Sequence, residues 1–516
     1  MNKLPQEIVI VGGGTAGWMT ACYLARTAEL MANNNNVPAP APKITLLESA
    51  VISTVGVGEG STPYLRHFFE FLGINESEWM LKCSATYKMG ISFERWTTTA
   101  ESKTTRPAFT DSDSYFHPFF SSLDIPTADM YFSAVNEYRK GASHDINPSH
   151  YFTAAHMVEK SITPDAICSS ANIDYAYHFD AGLLGDFLKE YALNKGVSHQ
   201  IGTVANVESH EHTINSLKLD DGNTLSADFF IDCSGFRGLL GKQALLRKFT
   251  SYADTLFNDA AVAIASDATA SPETALQTRS IALSHGWQWH IPLTSRTGNG
   301  YVYSSQFCTE AQAEEELRLA LEPDQSHQQA RHLKMTVGRL EEHWKGNCLC
   351  IGLSQGFIEP LEATALMLVQ YALHHFIDCW QSNNPRREVR YNSEINRMFD
   401  GIRDYIAAHY YLNTRDDSAY WVACREDLKV PDTLSYLLNA WDKGASFEQA
   451  LNEVDNKLVY LRPSWYCIFA GMKRFSNNST PLAQPNTLAR RTMQQSVDGA
   501  YRAKQPQLGS IERTNI

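Results

Sequence analysis

The sequence predicts an α/β fold that opens on a βαβ unit and closes in a helix-rich C-terminal lobe. Three observations predict it. An apolar segment, Glu7 to Val11, runs into the turn Gly12-Gly13-Gly14-Thr15-Ala16-Gly17. A second apolar segment, Lys43 to Glu48, ends in an acid. The stretch from about 386 to 516 is helix-rich in pattern and crowded with aromatics.

The elements follow in order. Glu7 to Val11 reads as a strand, Gly14 to Ala28 as a helix and Lys43 to Glu48 as a second strand, with the glycines at the first turn. Met31 to Pro42, rich in Asn, Pro and Ala, reads as a surface loop. It carries the acid beyond the usual ~20 residues after the glycines. Loop-closure entropy grows slowly with length, so the assignment stands. Ala176 to Asp180 reads as a strand entering a helix over Leu183 to Leu193. Gly196 to Glu208 alternates as a single strand, and Asp221-Gly222 marks a hairpin turn. Asp228 to Gly235 is a buried strand ending in a glycine turn. Leu349 to Gly352 is a strand, followed by the loop Ser354 to Pro360 and a long helix through Trp380. The expected division is 1–385 (nucleotide-binding segments 1–90, 175–240 and 345–380) and a helical lobe, 386–516.

Gly12 allows the tight turn, Gly14 admits a pyrophosphate to the backbone, and Gly17 permits close helix–strand packing. The helix N-terminus faces the phosphates, and Glu48 accepts from the adenosine ribose hydroxyls. These residues predict a dinucleotide. The strand ending Asp232-Cys233-Ser234-Gly235 and the loop Ser354 to Leu361 both favour FAD over NAD, although either alone is also ordinary α/β packing.

The net charge of −13 argues against a nucleic-acid groove or an anionic membrane surface. No apolar run approaches the ~18 residues of a membrane span. The N-terminal residues lack the pattern of a signal peptide, and a cytoplasmic location is expected. The ten cysteines lack paired-ligand spacing, so no metal site is expected. Cys348 and Cys350 share one face of a strand and read as a buried, reduced pair.

Trp287-Gln288-Trp289-His290-Ile291-Pro292 is the rarest stretch in the chain. Other distinctive segments are Gly17 to Ala21, Val55 to Glu59, Phe71 to Ile74, Glu78 to Met80, Tyr87-Lys88, Tyr177 to Asp180 and Gly356 to Glu362. Together, and in this order, they resemble the flavin-dependent halogenases, the tryptophan halogenase group in particular. The likeness covers nearly the whole chain. It implies a Rossmann-like FAD domain of the GR2-type, flavoprotein monooxygenase-like class, with a helical substrate lobe.

In that family reduced FAD and O2 form a flavin hydroperoxide, halide attacks it, and the resulting hypohalous acid reaches a lysine beside a separate arene pocket. The matching lysine is Lys88, whose ammonium can hydrogen-bond the oxidant or whose amine can form an N-halamine. Glu362 matches the glutamate that polarises the oxidant or takes the arenium proton. Thr364 and Ala365 match the amides that bind chloride or bromide, and they open a helix whose dipole favours an anion.

The resemblance assigns FAD contacts to Gly12, Gly14, Thr15, Ala16, Gly17, Glu48, Val57, Gly58, Val204, Leu353 and Leu366. It sets Trp287 and Trp289 beside the oxidant path, where they share one strand face and also read as core packing. Trp465, Tyr466 and Phe469 are candidates for the arene pocket. The chain departs at Glu362-Ala363-Thr364-Ala365, where many members place Ser after the Glu.

The implied function is FADH2-dependent halogenation of an electron-rich, indolic substrate, with FADH2 supplied by a separate flavin reductase. The competing readings are a flavin-dependent aromatic monooxygenase and a flavin-binding protein without halogenase turnover. Against the first, no second glycine-rich site for NAD(P)H is visible. The Ala363 departure bears on the second.

Overall fold

A computed structural model describes residues 4–34, 41–50, 58–98, 114–268, 275–321, 328–382, 384–475 and 483–512. The chain forms two compact units made of alternating segments. The first is 1–85, 179–253 and 334–400; the second is 86–178, 254–333 and 401–516. This partition differs from a single cut at 385. The segments expected around the nucleotide fall almost entirely within the first unit.

The first unit is built on a six-stranded sheet. Its order is Trp344–Lys345, Cys348–Cys350, Phe229–Asp232, Glu7–Val11, Lys43–Glu48 and Ser198–Ile201. The last five strands run parallel, and Trp344–Lys345 pairs antiparallel at the edge. Val9, Val11, Leu47, Phe230, Leu240 and Cys348 are buried in one cluster with the neighbouring three-stranded sheet. Such continuous apolar burial is what a parallel sheet covered on both faces requires. The Ala176–Asp180 strand runs into the helix Ala181–Asn194, where Asp180 Oδ1 accepts from Gly182 N at 2.9 Å and Leu183 N at 3.1 Å. Thr224–Leu225 pairs with Thr213–Leu219 across the Asp221-Gly222 turn, Gly222 taking φ +86°.

Two expected boundaries are corrected. The first helix runs Thr15–Asn34, not to Ala28. Met31 and Ala32 are good helix formers, and the Met31 sulfur lies 3.6 Å from Gln381 Nε2, so packing carries the helix into the Asn run. Positions 35–40 of the expected surface loop lie outside the described residues. The expected strand Gly196 to Glu208 is two strands, Ser198–Ile201 and Val204–His210. The former pairs with Lys43–Glu48, the latter with Thr213–Leu219 in another sheet. The chain changes sheets at Gly202-Thr203, where Gly202 N donates to Glu48 O and Asp220 N to Thr203 O, each at 2.9 Å. Alternation reports a strand's period but not its partner.

The second unit is built on a seven-stranded, mainly antiparallel sheet. Its order is Arg331–Lys334, Ala260–Ser266, Thr297–Tyr303, Gly286–Pro292, Gln277–Leu283, Gly90–Glu94 and Ser114–Pro118. Its helices include Ile125–Arg139, Thr153–Lys160, Ala419–Glu426, Asp432–Asp442, Phe447–Glu453, Arg462–Gly471 and Thr487–Glu512. The C-terminal region is thus helical, as expected. Cys348 and Cys350 are buried and free, also as expected. Among the described residues no helix is long and apolar enough to cross a membrane, and no group of three or more His, Cys, Asp or Glu side chains could hold a metal.

Candidate functional site

In the first unit the glycine turn divides its work among four positions. Gly12 has φ +121°, and a Cβ there would stand 2.2 Å from Cys233 O. A Cβ on Gly17 would meet Gly12 O at 1.9 Å, so this glycine lets the helix close on its own turn. Around Gly14 nothing lies within 4 Å of that position, which leaves room for a phosphate group against the backbone. The sequence alone assigns Gly13 no role. A Cβ there would stand 2.3 Å from the Glu48 carboxyl carbon. Glu48 ends its strand as expected, and its Oε2 accepts from His199 Nε2 at 2.8 Å.

The other expected cofactor positions have the following surroundings. A Cβ on Gly352, beside Leu353, would stand 2.7 Å from Ala16 Cβ and 3.9 Å from Val369 of the helix Ala365–Gln381. Leu366 is buried in that helix, and Thr15 donates through Oγ1 to Ala181 O at 3.4 Å. Val204 opens its strand, Gly58 is buried at the start of Gly58–Gly60, and Val57 lies outside the described residues. Beside Gly58, burial and the Asp180 carboxylate push the Glu59 carboxyl up to about 7.

Asp232, to which the sequence alone assigns no role, ties the two segments that favour FAD. Its carboxylate accepts from Ser234 N (3.0 Å), Ser234 Oγ (2.6 Å), Leu240 N (2.8 Å) and Gly241 N (2.9 Å). Its carbonyl accepts from Ile351 N at 2.9 Å and from the Ser354 hydroxyl. An Asp at the end of an apolar strand, three residues before a glycine, was the available signal.

The loop after Ser354 holds a short strand, Gly356–Phe357, and the 3-10 turn Pro360–Glu362. Glu362 is 5% exposed, and Glu359 is wholly buried. Ala363 adopts φ 55° and ψ 36°, a left-handed conformation costing a non-glycine residue roughly 1–2 kcal/mol. It ends the turn and lets the helix Ala365–Gln381 begin from Thr364. No acid stands in that helix's first turn, so its positive dipole end is uncompensated by a carboxylate there.

In the second unit Lys88 ends the strand Thr86–Lys88, which pairs antiparallel with Ala176–Asp180, Lys88 opposite Ala176. Lys88 is 0% exposed, and its Nζ lies 5.4 Å from the Phe119 ring centroid. A lysine this deep is uncommon, and an aromatic face is one of the few apolar surfaces that attract its charge. Trp287 and Trp289 share a face of Gly286–Pro292, their ring centroids 6.3 Å apart at 60°. Trp289 lies across Gly300, where a Cβ would stand 2.0 Å from its ring. Among the described residues Trp289 Nε1 has no hydrogen-bond partner.

Of the three candidate pocket aromatics, Tyr466 faces away from Trp465, whereas Phe469 meets it. Trp465 packs edge-on against Tyr405, centroids 4.9 Å apart, and Tyr460 stacks on the same ring at 3.7 Å. The Tyr405 hydroxyl lies 3.1 Å from Ser464 O and 3.3 Å from His117 Nε2. Tyr466 packs with Phe132, Trp441 and Phe447, and Asn136 donates to the Tyr466 hydroxyl at 2.9 Å. Phe469, one helical turn after Trp465 and 6.5 Å from it by ring centroid, also meets Trp441 and Phe447. Adjacent helical residues point about 100° apart, which separates Trp465 from Tyr466. His117, Phe119 and Tyr405 do not emerge from sequence reasoning. The aromatic run Phe116-His117-Pro118-Phe119-Phe120 was the signal for the first two.

The chain is similar to known proteins along nearly its whole length. A family profile described as tryptophan halogenase matches residues 7–487. The tryptophan 6-halogenase of Streptomyces toxytricini is 36% identical over 470 residues, covering 85% of this chain and 84% of its own. The tryptophan 7-halogenase of Lentzea aerocolonigenes is 36% identical over 498 residues, covering 92% and 90%. Among solved structures, a flavin-dependent halogenase from Xanthomonas campestris superposes with TM-score 0.78 at 29% identity, covering 98% of this chain and 96% of its own.

Proposed function

The chain belongs to the tryptophan halogenase family and is a flavin-dependent halogenase; from that premise we propose how its residues divide the reaction. It takes FADH2 from a separate flavin reductase, with O2 and chloride or bromide, and halogenates an electron-rich, indolic substrate. Bound FADH2 supplies the O2-dependent oxidation of halide to hypohalous acid.

The glycine turn fits such a group. Gly14 is open to a phosphate, Gly12 and Gly17 are held close by neighbouring backbone, and Glu48 stands at Gly13 for the ribose. Thr15, Ala16, Gly58, Val204, Leu353 and Leu366 complete the proposed contacts, with Val57 assigned by family match alone. Thr364 and Ala365 hold the halide through backbone N–H groups, since a helix start leaves these without intrahelical acceptors. Trp287 and Trp289 wall the path of the oxidant.

Lys88 is the residue that presents the oxidant to the arene. Its Nζ either donates a hydrogen bond to hypohalous acid or, as the neutral amine, takes the halogen. The observation carrying this assignment is its complete burial against Phe119. A buried cation is costly, so a surface role is a poor account of it. Glu362, buried in its turn, accepts the proton lost from the arenium carbon. The two residues lie in different units, and each role rests on its own surroundings and family match. Trp465, with Tyr405 and His117, is the better-supported wall of the arene pocket; Tyr466 and Phe469 support it from the helical core.

The test supplies FADH2 from a reductase, chloride or bromide, and a panel of indoles including free tryptophan, and follows product mass. The expected product carries a halogen isotope pattern that disappears in Lys88→Ala. Addition of one oxygen would favour the monooxygenase reading. Bound FAD with no product across the panel would favour a flavin-binding protein.

A further inference from the structure

We propose that His178 is a positioning residue for Lys88, aligning the lysine's strand with the Trp287–Trp289 strand through hydrogen bonds of fixed direction. The inference rests on the reading of Lys88 given above. His178 stands opposite Thr86, two residues before Lys88 on the same strand face. The Thr86 hydroxyl lies 2.7 Å from Pro292 O, the final residue of the tryptophan strand. A carbonyl only accepts, so the single hydroxyl proton is committed there. Thr86 Oγ1, 3.0 Å from His178 Nδ1, therefore accepts from the ring. His178 Nε2, 2.9 Å from Thr278 Oγ1, accepts in turn from that hydroxyl when the ring is neutral.

Nearby groups keep the ring neutral. Burial, then the Lys88 charge and His290, hold the His178 imidazole well below its usual value. The hydrogen-bond chain runs Thr278 to His178 to Thr86 to Pro292, with His178 0%, Thr86 2% and Thr278 7% exposed. Four strands, Gln277–Leu283, Ala176–Asp180, Thr86–Lys88 and Gly286–Pro292, are thereby held in relation to one another. Apolar side chains of similar shape could fill the same volume at little cost in stability. What they could not supply is direction. An oriented bond two residues from a buried lysine sets where its Nζ stands, and displacements near 1 Å are costly to reactions that depend on alignment.

The experiment uses the full chain with reductase-supplied FADH2, bromide and a turned-over indole, plus a soluble β-diketone that traps escaped hypohalous acid. Two yields are measured, halogenated indole and halogenated trap. His178→Phe is expected to lower the indole-to-trap ratio about tenfold or more, trapped oxidant rising as product falls. His178→Asn, whose amide can take the place of Nδ1–H toward Thr86, is expected to recover most of the ratio. Thr278→Val removes one hydroxyl with little change of shape. It is expected to lower the ratio severalfold, and it keeps the proposal testable should His178→Phe not fold. A wild-type ratio in both Thr278→Val and any folded His178→Phe would overturn the proposal. So would product and trap falling together in proportion to folded protein. Lys88→Ala separates the premises. Loss of product there with a wild-type ratio in the His178 and Thr278 variants defeats only the positioning role. Retention of product in Lys88→Ala defeats the lysine reading, and the positioning role with it.

Discussion

His199 Nε2 stands 2.8 Å from Glu48 Oε2, and the same carboxyl lies against Gly13. His199 sits opposite Leu46 in the neighbouring strand, and Trp18 meets its ring edge-on at 5.2 Å. Lys189 Nζ is 3.9 Å from the same carboxylate oxygen. The acid proposed to hold the adenosine ribose is thus already oriented by partners of its own. His199→Phe removes the donor and keeps a ring, and it is expected to weaken FAD binding about tenfold, the worth of one hydrogen bond to a charged group. His199→Gln, which retains an N–H donor, is expected to stay within a few-fold of wild type. Flavin fluorescence titration of flavin-free protein reads both. An unchanged Kd in His199→Phe would remove His199 from the site.

Gly300 offers a way to move Trp289 without mutating it. A Cβ there would stand 2.0 Å from the indole, so Gly300→Ala displaces the ring or the strand. The expected cost is about 1–3 kcal/mol of stability, seen in thermal or denaturant unfolding. Halogenation should fall further than in Trp289→Phe, which leaves Gly300 covered. Wild-type stability in Gly300→Ala would mean that the indole has space to retreat.

Ala363 carries strain that a glycine would release. Ala363→Gly removes about 1–2 kcal/mol of left-handed penalty and gives back about 0.5–1 kcal/mol through unfolded-state entropy. A net gain between about 0 and about 1.5 kcal/mol is expected in denaturant unfolding. Ala363→Ser keeps the strain and adds a hydroxyl. It tests by activity alone whether that hydroxyl contributes.

Glu59 makes stability depend on pH. Its carboxyl is raised from 4.5 to about 7, so the folded chain holds a proton there that the unfolded chain has released. Its contribution is unaffected below about pH 4.5, and stability declines as pH rises from there to about 7. Glu59→Gln is expected to flatten that slope in flavin-free protein. Unfolding midpoints at pH 5 and pH 7.5 check it; equal slopes in the two proteins would place the titration elsewhere.

Much of the first unit was legible because its signals are local. Gly12, Gly14 and Gly17 act within one turn, and the strand ends at Glu48 and Asp232 follow from apolar runs bounded by acids and glycine. The change of sheets at Gly202-Thr203 was not legible, because two successive strands with different partners share one alternating pattern. The split of Trp465 from Tyr466 escaped for a related reason. Neighbouring aromatics on a helix look alike in sequence and differ only in what packs against each face.

By itself the sequence determined the family, the dinucleotide turn, the C-terminal helices and the identity of Lys88 and Glu362 as candidates. Those are written in residue types at short spacing. Tertiary structure alone decided that Lys88 is buried against Phe119, that Ala363 is strained, and that Glu48 meets His199. It also decided that His178 joins Thr86 to Thr278. Residues 151 positions apart, such as Glu48 and His199, or 100 apart, such as His178 and Thr278, become neighbours only when the sheets form. Burial and hydrogen-bond direction belong to that packed arrangement, and no spacing in the chain encodes them.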